Sequence, residues 1–138
     1  MIRLSAVFLA VAAPAAAQVA PLSFEAGKSL ALATGQWSYV ATATGSEARY
    51  GALLALQCDK PSRTMVIARP GMPVAALTIV TDTASRTLPP TGRLSADDPL
   101  LDAMAFSRGR FLVSGGAGPA LAVPSWPESA RAIEDCRN

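Results

Sequence analysis

The chain has 138 residues, 12 Lys and Arg against 10 Asp and Glu for a formal charge of +2, two cysteines and no histidine. Scattered cations rule out a basic footprint for nucleic acid or an anionic membrane surface. The missing imidazole removes Ser-His-Asp and Cys-His nucleophilic sites, histidine-based zinc and copper centres, and the usual general base near neutral pH.

Residues 1–17 read as a secretory signal: one early cation at Arg3, an apolar run from Leu4 to Ala13, and the small residues Ala15, Ala16 and Ala17 before a cleavage point at Gln18. The apolar run is only about ten residues, half of the roughly 20 that span a bilayer, so no membrane span is expected after cleavage. The product is expected in the periplasm or outside the cell, as one domain with its own core. Residues 18–35 form a lead-in with no firm period, with one edge strand at Leu30 to Ala33, and residues 36–138 form a β-rich domain.

Two-residue alternation begins at Trp37, Tyr39 and Ala41 and marks a strand. Thr44-Gly45-Ser46 breaks it, and Arg49 to Cys58 reads as one long second strand with Tyr50, Leu54, Leu56 and Cys58 on one face. A turn at Asp59 to Ser62 leads to a third strand, Arg63 to Arg69, and Pro70-Gly71 supplies the central pair of a type II turn. Ala75 to Thr81 is a fourth strand and Arg86 to Leu88 a short fifth, stopped by Pro89-Pro90. Asp98 caps a helix that opens on Pro99 and carries Leu100, Leu101, Met104 and Ala105, with Gly109 as its stop. Arg110 to Ser114 and Ala120 to Val123 form a hairpin across Gly115, Gly116 and Gly118. Ser125 and Glu128 form a capping box for a last helix with Trp126, Ala130, Ile133 and Cys136 on its inner face, the indole packing on the sheet. Short strands at this spacing predict a small antiparallel β-sandwich or open barrel with two short helices in the C-terminal third. Two cysteines in an exported chain predict a Cys58–Cys136 disulfide, and no C-x-x-C spacing suggests a redox pair.

No constellation points to one reaction or one ligand. Glu47, Asp59, Asp82, Asp98 and Asp102 are the carboxylates available to a histidine-free enzyme, but cap, turn and exposed-helix roles account for Asp59, Asp82, Asp98 and Asp102. No catalytic residue, metal site or cofactor is assigned. The glycines at 115, 116 and 118 do not lead from a strand into a helix and so do not read as a phosphate loop. Arg108 and Arg110 straddle a helix-to-strand junction and suit an anion or a partner's carboxylate, or else helix carbonyls and the sheet edge.

The layout of the early tryptophan strand, Leu77-Thr78-Ile79, the helix at Leu100 to Ala105 and the strand Arg110 to Val113 resembles invasion-associated locus B type periplasmic proteins. That resemblance, over Trp37 to Val123, implies a small β-sandwich with an envelope role. The cysteine positions and the last helix depart from it. Ala43 to Tyr50 resembles the S-G-x-R-Y loop of inhibitors of C-type lysozyme, which would put Ser46 against the hydrolase's catalytic carboxylate, with Arg49 and Tyr50 shaping the loop. Here Glu47 replaces a small residue, and the cysteine preceding that family's loop is missing. The functional expectation is therefore an exported non-catalytic module that binds an envelope or periplasmic protein or an unidentified ligand. The alternatives are an inhibitor of a wall-degrading hydrolase and a carboxylate enzyme. The candidate binding residues are Ser46, Arg49, Tyr50, Arg108 and Arg110.

Overall fold

A computed structural model describes residues 10–14 and 22–138, so most of the expected signal, the cleavage point and the start of the lead-in lie outside the described residues. Among the described residues the strands form two antiparallel sheets and no closed barrel. The first sheet takes β1 (Trp37–Ala41), β2 (Gly45–Tyr50), β3 (Leu54–Asp59), β4 (Thr64–Ala68) and, on its far edge, β7 (Arg93–Ser95). The second is ordered β6 (Ser85–Leu88), β5 (Leu77–Val80), β8 (Arg110–Ser114), β9 (Leu121–Pro124). The chain thus leaves the first sheet after β4, returns for β7, leaves again for β8 and β9, and comes back with its last helix. Alternation in β2 and β4 sends Ser46, Ala48, Tyr50, Met65 and Ile67 inward, as the two-residue period of a half-buried strand requires.

The expected long strand from Arg49 to Cys58 is in fact two strands. Gly51 adopts φ +53°, Leu53 N–H donates to the Tyr50 carbonyl at 3.0 Å, and the chain reverses there. The face assigned to Tyr50, Leu54, Leu56 and Cys58 survives because Tyr50 and Leu54 stand opposite one another in register, and directly paired residues share a face. Gly45 and Ser46 open β2 instead of breaking a strand, and the reversal before them is closed by Thr42 and Gly45. Strand β7 is too short to show a period in the sequence.

Helix α2 (Pro99–Ala105) begins as expected, the Asp98 carboxylate accepting from Leu100 N–H at 2.9 Å. It ends at Ala105, ahead of Gly109, whose positive φ instead starts the turn into β8. Helix α3 (Pro127–Arg137) lacks the expected capping box: its N-cap is Trp126, and Ser125 Oγ and Glu128 Oε2 have no hydrogen-bond partner. A residue before proline is pushed out of the helical region, so Trp126 is extended (φ −96°, ψ 163°) and Pro127 takes the first helical position. The one-residue shift brings Ser129, Ala132, Ile133 and Cys136 to the inner face and leaves Trp126 47% exposed rather than packed on the sheet.

One core cluster joins the inner faces of both sheets to α2 and α3. Trp37 belongs to it, tilted against Tyr50 and Phe111, with Nε1–H donating to the Pro124 carbonyl at 2.7 Å and so tying β1 to β9. The outer face of the second sheet is also covered. Val80, Leu112 and Ala122 lie under Leu22, Phe24 and Leu30 of the lead-in, which forms helix α1 (Phe24–Gly27). Gly27 sits so close to the Leu112 side chain that a β-carbon there has no room. The expected edge strand at Leu30 to Ala33 is a single bridge from Leu32 to Ala122.

Cys58 and Cys136 are joined across 78 positions, their Cα atoms 5.5 Å apart. A loop of that length is worth about 4–5 kcal/mol in the chain-entropy model. Replacing both cysteines by alanine should lower the unfolding free energy by about 3–5 kcal/mol in urea titrations, and an unchanged midpoint would mean that the tie adds no stability.

Candidate functional site

The five residues nominated from the sequence do not form one site. Ser46 is 1% exposed on the inner face opposite Cys58, and Tyr50 is buried with its hydroxyl donating to the Ala33 carbonyl at 2.7 Å. Arg49 points outward on β2 and pairs with Glu47. The segment resembling an inhibitor loop is therefore a strand inside a sheet, and its serine is beyond the reach of a partner. Arg110 donates to the carbonyls of Gly27 and Leu30 at 3.2 and 2.6 Å, holding the end of α1 against β8. Arg108 projects into solvent, 3.6 Å from Asp82.

The carboxylates are similarly dispersed. Glu47 accepts from Arg49 and Gln57, Asp59 from Ser62, and Asp102 from Arg137 at 2.7 Å. Asp98 accepts from Leu100 N–H and pairs with Arg86 at 2.8 Å. Partial burial raises the Glu47 carboxyl, but the hydrogen bonds from Arg49 and Gln57 and the Arg49 charge outweigh it and hold the group below its ordinary value. At Asp98 burial is likewise outweighed, by Arg86 and the Leu100 amide. Among the described residues no group of three or more Cys, Asp and Glu is placed to hold a metal ion.

The cleft with the chemistry of a binding site was not legible as one in the sequence. Pro70 and Gly71 reverse the chain after β4, with Gly71 at φ +74° and Met72 N–H donating to the Arg69 carbonyl at 3.2 Å. The link to β5, holding Pro70 and Pro73, has no ladder partners. Together with Pro90 and Thr91 and with Gly116 of the β8–β9 hairpin, it encloses a cleft of about 370 Å³, a size common to small-molecule sites. Its walls include Val66, Met72, Val74, Leu77 and Pro90, and Val74 is 82% exposed at the rim.

Arg69 is the charged side chain of that lining and is only 7% exposed. Its Nη1 donates to the Gly115 carbonyl at 2.8 Å, while Nε is buried without a partner. None of the ion pairs among the described residues includes it. Removing a cation from water without a counter-charge costs several kcal/mol, so a site that does so is unusual for a purely structural residue. One signal was present: Arg69, one residue past the end of β4, continues the two-residue phase of the inward Met65 and Ile67, and it is the single charge between Met65 and Leu77.

No protein-family model, curated protein or solved structure matches the chain.

Because folding lowers its pKa, Asp98 adds stability above the unfolded carboxylate value of about 3.9, and that contribution is lost as pH falls through the folded value. Asp98→Ala should destabilise the protein by about 1 kcal/mol at neutral pH, and the gap to the parent should narrow as pH falls below about 4 in parallel urea titrations.

Proposed function

We propose that this chain is exported to the periplasm or beyond and serves as a non-catalytic binding module, with the apolar cleft around Arg69 as its ligand site. One observation carries the reading: Arg69, a residue 7% exposed with a buried donor unpartnered, lines a largely apolar cleft of about 370 Å³. Apolar walls supply affinity and a few fixed polar groups supply orientation, the usual division of labour in small-molecule sites. The loops that build the cleft hang from strands of both sheets, so its mouth is held by the core without taking part in it. Export is supported by the signal-like residues 1–17 and by the disulfide, a bond that persists in oxidising compartments. Among the described residues no helix is long and apolar enough to cross a membrane.

A neutral apolar fluorophore, N-phenyl-1-naphthylamine, should bind the exported protein saturably at one site. Ala75→Trp, which places an indole in the cleft, should abolish that signal while leaving the urea midpoint within experimental error. Absence of saturable binding by the parent protein would remove the cleft as a ligand site. The chain recovered from the periplasm or medium should begin at Gln18 by N-terminal sequencing, whereas a chain retaining Met1 would refute the cleavage.

A further inference from the structure

We propose that the ligand held in this cleft is an amphiphile with one carboxylate and an apolar body, the carboxylate seated on Arg69; the assignment rests on the cleft being the ligand site. The free part of the guanidinium decides the headgroup. Nη1 donates to the Gly115 carbonyl at 2.8 Å and Nε is buried without a partner, so the guanidinium carries donor capacity that no protein acceptor uses. A planar cation with unused N–H donors favours a planar anion such as a carboxylate.

Charge counting narrows the choice further. Arg69 is the only charged residue lining the cleft, and no carboxylate among the described residues pairs with it, so one anion neutralises the site. A phosphate dianion would leave a second charge against proline, valine and methionine side chains, where desolvation has no compensation. A cationic headgroup would be repelled. The rest of the ligand must then be apolar, since the wall beyond the guanidinium is made of groups such as Val66, Pro73 and Leu77.

Gly118 keeps the guanidinium in place. A β-carbon there would lie 2.7 Å from Arg69 Nη2 and 2.9 Å from Met72 Cε, so the absence of a side chain lets the β8–β9 hairpin lie against both. Gly118→Val should therefore shift the arginine without removing its charge.

The test is displacement of N-phenyl-1-naphthylamine from the exported protein at about pH 7, where alkyl carboxylates are ionised. The competitors are decanoate, decanol, decyl phosphate and decyltrimethylammonium, each kept below its micelle concentration. Decanoate should displace the dye at about tenfold lower concentration than decanol, equivalent to about 1.4 kcal/mol, and decyltrimethylammonium should be the weakest. In Arg69→Met, whose thioether suits the apolar wall, dye binding should persist while the preference for decanoate over decanol disappears. Arg69→Lys and Gly118→Val should retain only part of it. Equal displacement by decanoate and decanol, an undiminished preference in Arg69→Met, or stronger displacement by decyl phosphate would each overturn the assignment while the cleft itself stands. Failure of the parent protein to bind the dye would overturn both.

Discussion

The Cys58–Cys136 bond is the constraint on which the arrangement depends. It anchors the last helix to the inner face of the five-stranded sheet, at a position on β3 flanked by Ser46 and Met65. The four-stranded sheet and α3 together close that face, and Ala132, Ile133 and Cys136 join the core cluster that also contains Phe111 and Val113. A helix of 11 residues is marginal in water, so its stability must come from what it packs on. Polar contacts complete the attachment. Tyr39 donates to Asp135, the Arg131 guanidinium lies 4.0 Å from the centroid of the Tyr39 ring, and Arg137 bridges Asp102 and the Ala96 carbonyl. The last of these joins α3 to α2, so both C-terminal helices are placed by one end of the chain.

The cleft belongs to a different part of the architecture. It forms where the chain passes from β4 in one sheet to β5 in the other, beside the hairpin that joins β8 to β9. Strands there are already paired and the core is already closed, so the connecting residues are free of packing duty and can hold Met72 and Val74 toward water. Prolines at 70 and 73 limit the conformations open to this link and reduce the entropy lost when it is ordered. The buried guanidinium is held by a main-chain carbonyl rather than by an acid. An acid would cancel its charge, whereas a carbonyl satisfies one donor and leaves the cation free to attract an anion.

Other polar groups differ instructively from Arg69. Ser46 Oγ is also buried and unpartnered, but a lone hydroxyl facing the core offers a ligand neither charge nor access. Arg110 is half-buried, yet both of its contacts are carbonyls at the end of α1, which makes it a clamp for the lead-in. Arg108 is exposed and close to Asp82, so water and salt screen what it can contribute. Among the described residues only Arg69 combines burial, an unanswered charge and an adjoining cavity.

The sequence by itself determined the features that depend on near neighbours. The strands at Trp37, Thr64 and Arg110, the Asp98-Pro99 helix start, the Pro70-Gly71 turn and the glycine hairpin at 115–118 are all present, because each is set by alternation, capping or backbone freedom over a few residues. The disulfide partners followed from there being only two cysteines. Tertiary structure decided the rest. It made Arg49 to Cys58 a hairpin, because pairing on both sides of Gly51 recovers ladder hydrogen bonds that one long strand would leave unmade. It buried Ser46, which the expected break at Thr44-Gly45-Ser46 would have left in a turn. It also assembled the Arg69 cleft from segments that meet only because two sheets stack. Burial and cavities are sums over residues far apart in the chain, and no local period encodes them.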